Sequence, residues 1–138
     1  MKTKQLTKNF NISEFRCKDG SDVPDELESN VQKLAEQLQI IRDRLCEEIG
    51  KNIPIKITSG YRTPSHNTKI GGAKNSYHLK AMASDIYVEK EYMQHLYVLI
   101  NELIDTEEII AGGITFYKNR PFKFIHYDIQ GKKRTWKT

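Results

Sequence analysis

Leu27, Val31, Leu34, Leu38, Ile41, Leu45 and Ile49 recur at spacings of three and four. Such a stripe is one apolar face of a helix, and a face this long must be covered by another layer of the same fold. Pro24, Asp25 and Glu26 read as its start, because proline suits the first turn and carboxylates suit the positive end of the helix dipole. Gly50 is placed to end it. The stripe is core, not a cofactor-binding face.

The covering layer reads as a small sheet. In "IPIKITSGY" (53–61) Ile53, Ile55 and Ile57 alternate with more polar residues, the period of a half-buried strand. The run "YRTPSHNTKIGGAKNS", rich in Gly, Ser, Asn and Thr, reads as loop. A short strand, "ASDIYV", follows. A second helix is expected from about residue 90, with Met93, Leu96, Tyr97, Ile100, Leu103 and Ile104 on one face. "IIAGGITFY" and "FKFIHYDI" read as a hairpin turning through Lys118–Pro121, and "GKKRTW" as an edge strand whose charges discourage further pairing. Residues 1–26 form an irregular arm that Phe10 and Phe15 pin to the core. The expected fold is α+β: two main helices packed on a small, largely antiparallel sheet, as one domain over residues 1–138.

Composition narrows the function classes. No apolar run approaches the roughly 20 residues that span a bilayer, so no membrane partner is expected. The start, "MKTKQLTKNF", is basic but lacks the apolar stretch of a secretory signal, so work outside the cytoplasm would need another route. Two cysteines, Cys17 and Cys46, fit neither a disulfide framework nor a zinc ribbon and read as reduced thiols. The net charge of +4 favours anionic surroundings, whether nucleic acid or an acidic envelope polymer, without choosing between them.

"NSYHLKAMASDIYV" (75–88) carries the chemical signal. Asp85 lies between apolar neighbours, where a lone carboxylate is costly. Strand alternation puts Asp85 and Tyr87 on one face, and Phe124, His126 and Asp128 on one face of the later strand. If those strands are neighbours, His126, Asp128 and Asp85 converge, and His78 arrives from the preceding loop. Two imidazoles and a carboxylate are a usual set for a catalytic zinc ion, with a fourth position left to water. A buried Asp held by backbone amides beside unrelated histidines would explain the same spacing. Of the other two histidines, His95 is read as a helix-surface residue and His66 as a loop brace beside Asn67.

The segments "SGYRTPSHN", "GGAKNSYHLKAMASDI", "GGITFY" and "FIHYDIQGKKRTW" together resemble peptidase family M15, the D-alanyl-D-alanine carboxypeptidase-like zinc peptidases. The likeness is greatest to the short peptidase domains found in phage and bacterial proteins, whose N-terminal arm "NFNISEFRCKDG" also resembles. It covers nearly the whole chain and implies the hedgehog/DD-peptidase-like form of the α+β fold. Carried onto this sequence, it makes His78, Asp85 and His126 the ligands of Zn2+. It makes Arg62 the arginine that faces the substrate, able to hold a peptide carboxylate or stabilise an oxyanion. Ser76 matches a substrate-binding serine, or else only shapes the turn.

Two departures stand out. Relatives often carry Gly between the His and the Asp, where this chain has Ala81; the difference matters only if that position needs a positive φ. Several relatives carry Glu or Asp three residues before the last histidine, where this chain has Lys123. Lysine cannot take a proton at neutral pH unless its pKa falls far. Asp128 is then the local substitute, either as the base or as a partner that orients His78 or His126, the second being favoured.

The resemblance implies a zinc-dependent peptidase acting on peptidoglycan stem peptides, as a D-Ala-D-Ala carboxypeptidase or an L-Ala-D-Glu endopeptidase. A monomeric phage endolysin or virion lysin, released by a holin-type route or carried with other virion proteins, fits the size and charge. The alternative is a non-catalytic virion or wall-binding protein that keeps the fold, which Lys123 favours. A metal-dependent nuclease would use the basic charge and the His66–Asn67 pair, but no third histidine on a following helix and no aromatic-interleaved basic patch accompany them, so no nucleic-acid partner is expected.

Overall fold

The structure is a computed structural model describing residues 1–138. Helix α1 (Glu28–Ile49) carries the long stripe, with Val31, Leu34, Leu38, Ile41 and Leu45 fully buried. A single 3-10 turn, Asp25–Leu27, leads into it, and Gly50 ends it in the left-handed conformation at φ 83. Helix α3 (Met93–Asp105) packs its own apolar face against α1, and no helix is long and apolar enough to cross a membrane. Between them in sequence lie strand β1 (Lys56–Ser59), the short helix α2 (Pro64–Lys69) and strand β2 (Ala83–Tyr87). Strands β3 (Ile114–Tyr117) and β4 (Phe124–Asp128) close the chain as the expected hairpin.

The four strands form one antiparallel sheet in the order β1-β2-β4-β3. Strands β2 and β4 are therefore central neighbours, and Asp85 stands directly opposite His126. The core face presents Ile86, Ile114, Ile125 and Tyr127 to the helices in one apolar cluster. Alternation leaves Asp85, Thr115, His126 and Asp128 on the other face. In β1 an extra residue, Thr58, shifts the register so that Ser59, not Thr58, comes opposite Asp85. Phe10 and Phe15 are buried with the core, so the N-terminal arm is pinned as expected.

Two expectations are corrected. The run after Tyr61 is not all loop: Thr63 caps α2 by accepting from the His66 amide at 3.2 Å, and Pro64 occupies its first turn. The sequence carries both signals, but six residues leave no room for an apolar period. The segment "GKKRTW" is not an edge strand; it makes one parallel bridge, Gly113 to Arg134.

Ala81 does need a positive φ. It caps the 3-10 turn Tyr77–Lys80 at φ 55, ψ 33, and is buried. An L-residue there is strained by roughly 1–2 kcal/mol. Glycine would relieve that, but would lose a buried methyl worth about 0.8 kcal/mol and roughly 0.5–1 kcal/mol of backbone entropy. Ala81→Gly should therefore move stability by less than about 1 kcal/mol, whereas the branched Ala81→Val should cost about 2–4 kcal/mol through strain and overpacking. Urea denaturation of the two variants measures both, and a strongly stabilising Ala81→Gly would refute the balance.

Candidate active site

On the polar face of the sheet, His78, Asp85 and His126 bring one ligand atom each to within 4.8 Å of one another, and all three residues are buried. The turn that holds His78 is built locally: Ser76 Oγ accepts from the His78 amide at 3.2 Å. The His78 ring is fixed by its Nδ1, which donates to the Gly60 carbonyl at 2.7 Å. Its other nitrogen, Nε2, is buried without a hydrogen-bond partner, 3.3 Å from Asp85 Oδ1. A buried imidazole nitrogen left over in this way, facing a carboxylate, is what a bound cation would satisfy.

Asp85 is divided between two tasks. Oδ1 faces His78 and lies 3.2 Å from His126 Nδ1, while Oδ2 accepts from Arg62 at 3.2 Å. Burial alone would raise its pKa, but the adjacent imidazoles of His78 and His126 hold the carboxyl well below the ordinary carboxylate range. Arg62 is clamped at every nitrogen: Nε donates to Ser59 Oγ at 3.1 Å, and the other two reach Asn67 Oδ1 and Asp85. The loop brace is thus Asn67, which also donates to the Ala73 carbonyl at 2.9 Å, and not His66. His95 pairs with Glu48 on the exposed surface, away from the site.

Asp128 is fully buried and saturated. Oδ1 accepts from the amides of Gly113 (2.9 Å) and Gln130 (3.2 Å). Oδ2 accepts from His126 Nε2 (2.7 Å) and Arg134 (2.6 Å). Burial pushes its pKa up, but the His126 and Gly113 hydrogen bonds and then the charges of His126 and Arg134 leave it lowered. Gly112 and Gly113 have to be glycine for this contact, since a Cβ would come within 1.7 Å of the Asp128 carbonyl oxygen and 2.6 Å of its Oδ2. Of the two roles open to Asp128, the geometry matches orientation of His126, because its oxygens have no donor-free side left for a water.

These residues line one cavity of about 500 Å³, together with Ser76, Arg120, Arg134 and Trp136. Lys123 is exposed and is not among the lining residues. Asp85 and Asp128 are the cavity's only carboxylates. Sequence reasoning missed Arg134, whose guanidinium sits over the rings of Tyr77 (5.1 Å) and Trp136 (5.3 Å) as well as on Asp128. It also missed Trp136, set edge-on to His126 with 5.0 Å between the rings. Both belong to "GKKRTW", and only the fold shows that this basic tail returns to the site.

Two nitrogens and one carboxylate oxygen, one nitrogen unpartnered, in an open polar cavity can hold a metal ion. His126 would offer Nδ1, since Nε2 is engaged by Asp128. Burial lowers the His126 pKa, but the hydrogen bonds to Asp128 and Asp85 outweigh it and raise it above the ordinary 6.5. A metal ion bound there must displace the Nδ1 proton, so metal affinity should start to weaken at a pH above 6.5 and fall further with acidification. Metal-free stability should show the opposite slope. The charged ring contributes fully below 6.5, and that contribution is lost as pH rises through the raised value. Calorimetric zinc titrations and thermal melts between pH 6 and about 8.5 check both signs; zinc binding below pH 6.5 without proton release would refute the assignment.

The sequence profile described as Peptidase M15 matches residues 4–128. Over 92 residues, 63% of this chain, the sequence is 35% identical to the probable peptidoglycan L,D-endopeptidase MepK of Haemophilus influenzae. The matched region is 45% of that relative, so the chain spans under half the length of the curated protein it matches. With the profile covering all but the two ends, the chain belongs to the peptidase M15 family.

Proposed function

We propose that this chain is a zinc-dependent peptidase that hydrolyses stem peptides of peptidoglycan. The observation that carries the reading is the unpartnered, buried Nε2 of His78 facing Asp85 and His126 in an open cavity. Membership of the family and a relative named as a peptidoglycan endopeptidase supply the substrate class. Zinc, when bound by His78, Asp85 and His126, supplies Lewis acidity toward a peptide carbonyl and acidifies a water molecule to a pKa of about 7.

The chain's own residues do the rest. Gly60 and Asp128 fix the two imidazole rings, so that each presents the nitrogen facing Asp85. Arg62, held by Ser59, Asn67 and Asp85, keeps a guanidinium on the cavity wall, where it can donate to a developing oxyanion or a peptide carboxylate. Ser76 caps its turn with an oxygen lone pair and keeps its hydroxyl proton for the substrate backbone. For Asp128 to act as proton acceptor, His126 or Arg134 must first release it.

A second reading, a wall-binding protein without hydrolysis, draws on that last point: no carboxylate in the cavity is free to act as a base. Zinc-loaded protein incubated with purified peptidoglycan separates the two. New amino termini that appear with the protein and vanish after chelation support the peptidase. Tight sedimentation with the wall and no new termini supports the binding protein.

A further inference from the structure

Three arginines line the cavity: Arg62, Arg120 and Arg134. Two are neutralised, Arg62 by Asp85 at 3.2 Å and Arg134 by Asp128 at 2.6 Å. Arg120 has no carboxylate partner and no side-chain hydrogen bond, and it sits exposed in the turn between β3 and β4. A lone surface arginine is ordinarily a solvated charge. This one is seated: its guanidinium lies 4.8 Å from the centre of the Tyr117 ring. That ring is stacked on Phe124 at 4.6 Å, and its hydroxyl accepts from Trp136 Nε1 at 2.7 Å. The platform thus limits where the arginine goes while leaving the edge donors of the fork unused. The charge left available in the cavity is positive, since both carboxylates are buried and paired.

We propose that Arg120 binds a free carboxylate of the peptide substrate at a position away from the scissile bond, and so selects peptides bearing that carboxylate over the same peptides amidated. The assignment rests on the peptidase reading for its substrate class. It places the carboxylate at the turn of the hairpin, beyond the Tyr117–Phe124 pair and so outside the Thr115–His126 pair, where a charge-assisted fork can form. An interaction there is made equally in the ground and transition states, so it sets KM rather than kcat.

The test uses stem peptides whose carboxylates are converted one at a time to carboxamides. Binding to the zinc-loaded protein is read from the fluorescence of Trp136, the chain's single tryptophan and a cavity-lining residue, and cleavage is followed on the same peptides. One conversion should weaken binding about tenfold in the native protein. R120Q should bind the acid and amide forms of that peptide alike, with an unchanged kcat, and R120K should keep part of the preference. No carboxamide penalty in the native protein, or a penalty that survives in R120Q, overturns the assignment. Preference without cleavage leaves Arg120 standing and removes the peptidase reading. Cleavage indifferent to Arg120 does the reverse, and neither binding nor cleavage removes both.

Discussion

His78→Ala should remove most retention of the proposed zinc ion while leaving a folded protein. A structural zinc site of four ligands is worth roughly 10–16 kcal/mol, so one ligand carries about 3–4 kcal/mol, or on the order of 10²–10³ in affinity. The loss in the metal-free protein is smaller and of a different kind. Removing the ring orphans the Gly60 carbonyl, which accepts from Nδ1 at 2.7 Å, at a cost of about 1–3 kcal/mol plus a cavity. Thermal melts with and without zinc separate the two. At a hundredfold excess over Kd the native protein gains about 2.7 kcal/mol from the ion, and His78→Ala should gain almost nothing. Equal zinc-induced shifts in the two proteins would remove His78 from the ligand set. The proposed cleavage of peptidoglycan should disappear along with the zinc-induced shift.

The elements of this fold were legible where a periodic pattern ran long enough to bury something. The stripe from Leu27 to Ile49 specified α1 almost to the residue, and two-residue alternation assigned Asp85, His126 and Asp128 to faces of their strands. What alternation cannot reveal is which strands are neighbours, so the convergence of those faces was conditional on an order that packing of the whole chain decides. The charged tail was misread for a related reason. Arg134 looks like an edge-strand cation in sequence, and only the return of the chain past Gly112 and Gly113 shows it to be the partner of Asp128. His66 reads as the loop brace by side-chain chemistry, yet backbone placement on α2 puts its neighbour Asn67 against Arg62. Ala81 shows the opposite limit: the sequence named the position, and only its φ of 55 shows the strain.

Asp128→Asn tests whether the lone buried carboxylate behind His126 sets that ring's chemistry. The substitution keeps size and one acceptor oxygen, so the Gly113 and Gln130 amides at Oδ1 can remain satisfied. At the Oδ2 position an amide NH2 would face two donors, Arg134 and His126 Nε2–H. Loss of one partner of a buried ion pair costs about 3–5 kcal/mol, reduced here because Arg134 is partly exposed and can turn to water. A drop of about 2–3 kcal/mol in urea denaturation is therefore expected. The larger consequence is tautomeric. An Asn donor stabilises the ring with its proton on Nδ1, the nitrogen that faces Asp85 and would serve the metal. Zinc affinity should then fall about 10–100-fold, the usual loss when a partner behind a metal-ligating histidine is removed. Isotope-edited NMR of the His126 ring reads the tautomer directly: Nε2–H in the native zinc form and Nδ1–H in the metal-free variant. If Asp128→Asn instead keeps native zinc affinity and loses only turnover, Asp128 moves protons rather than orienting His126, and the hydrogen bonds that saturate it must open during the reaction.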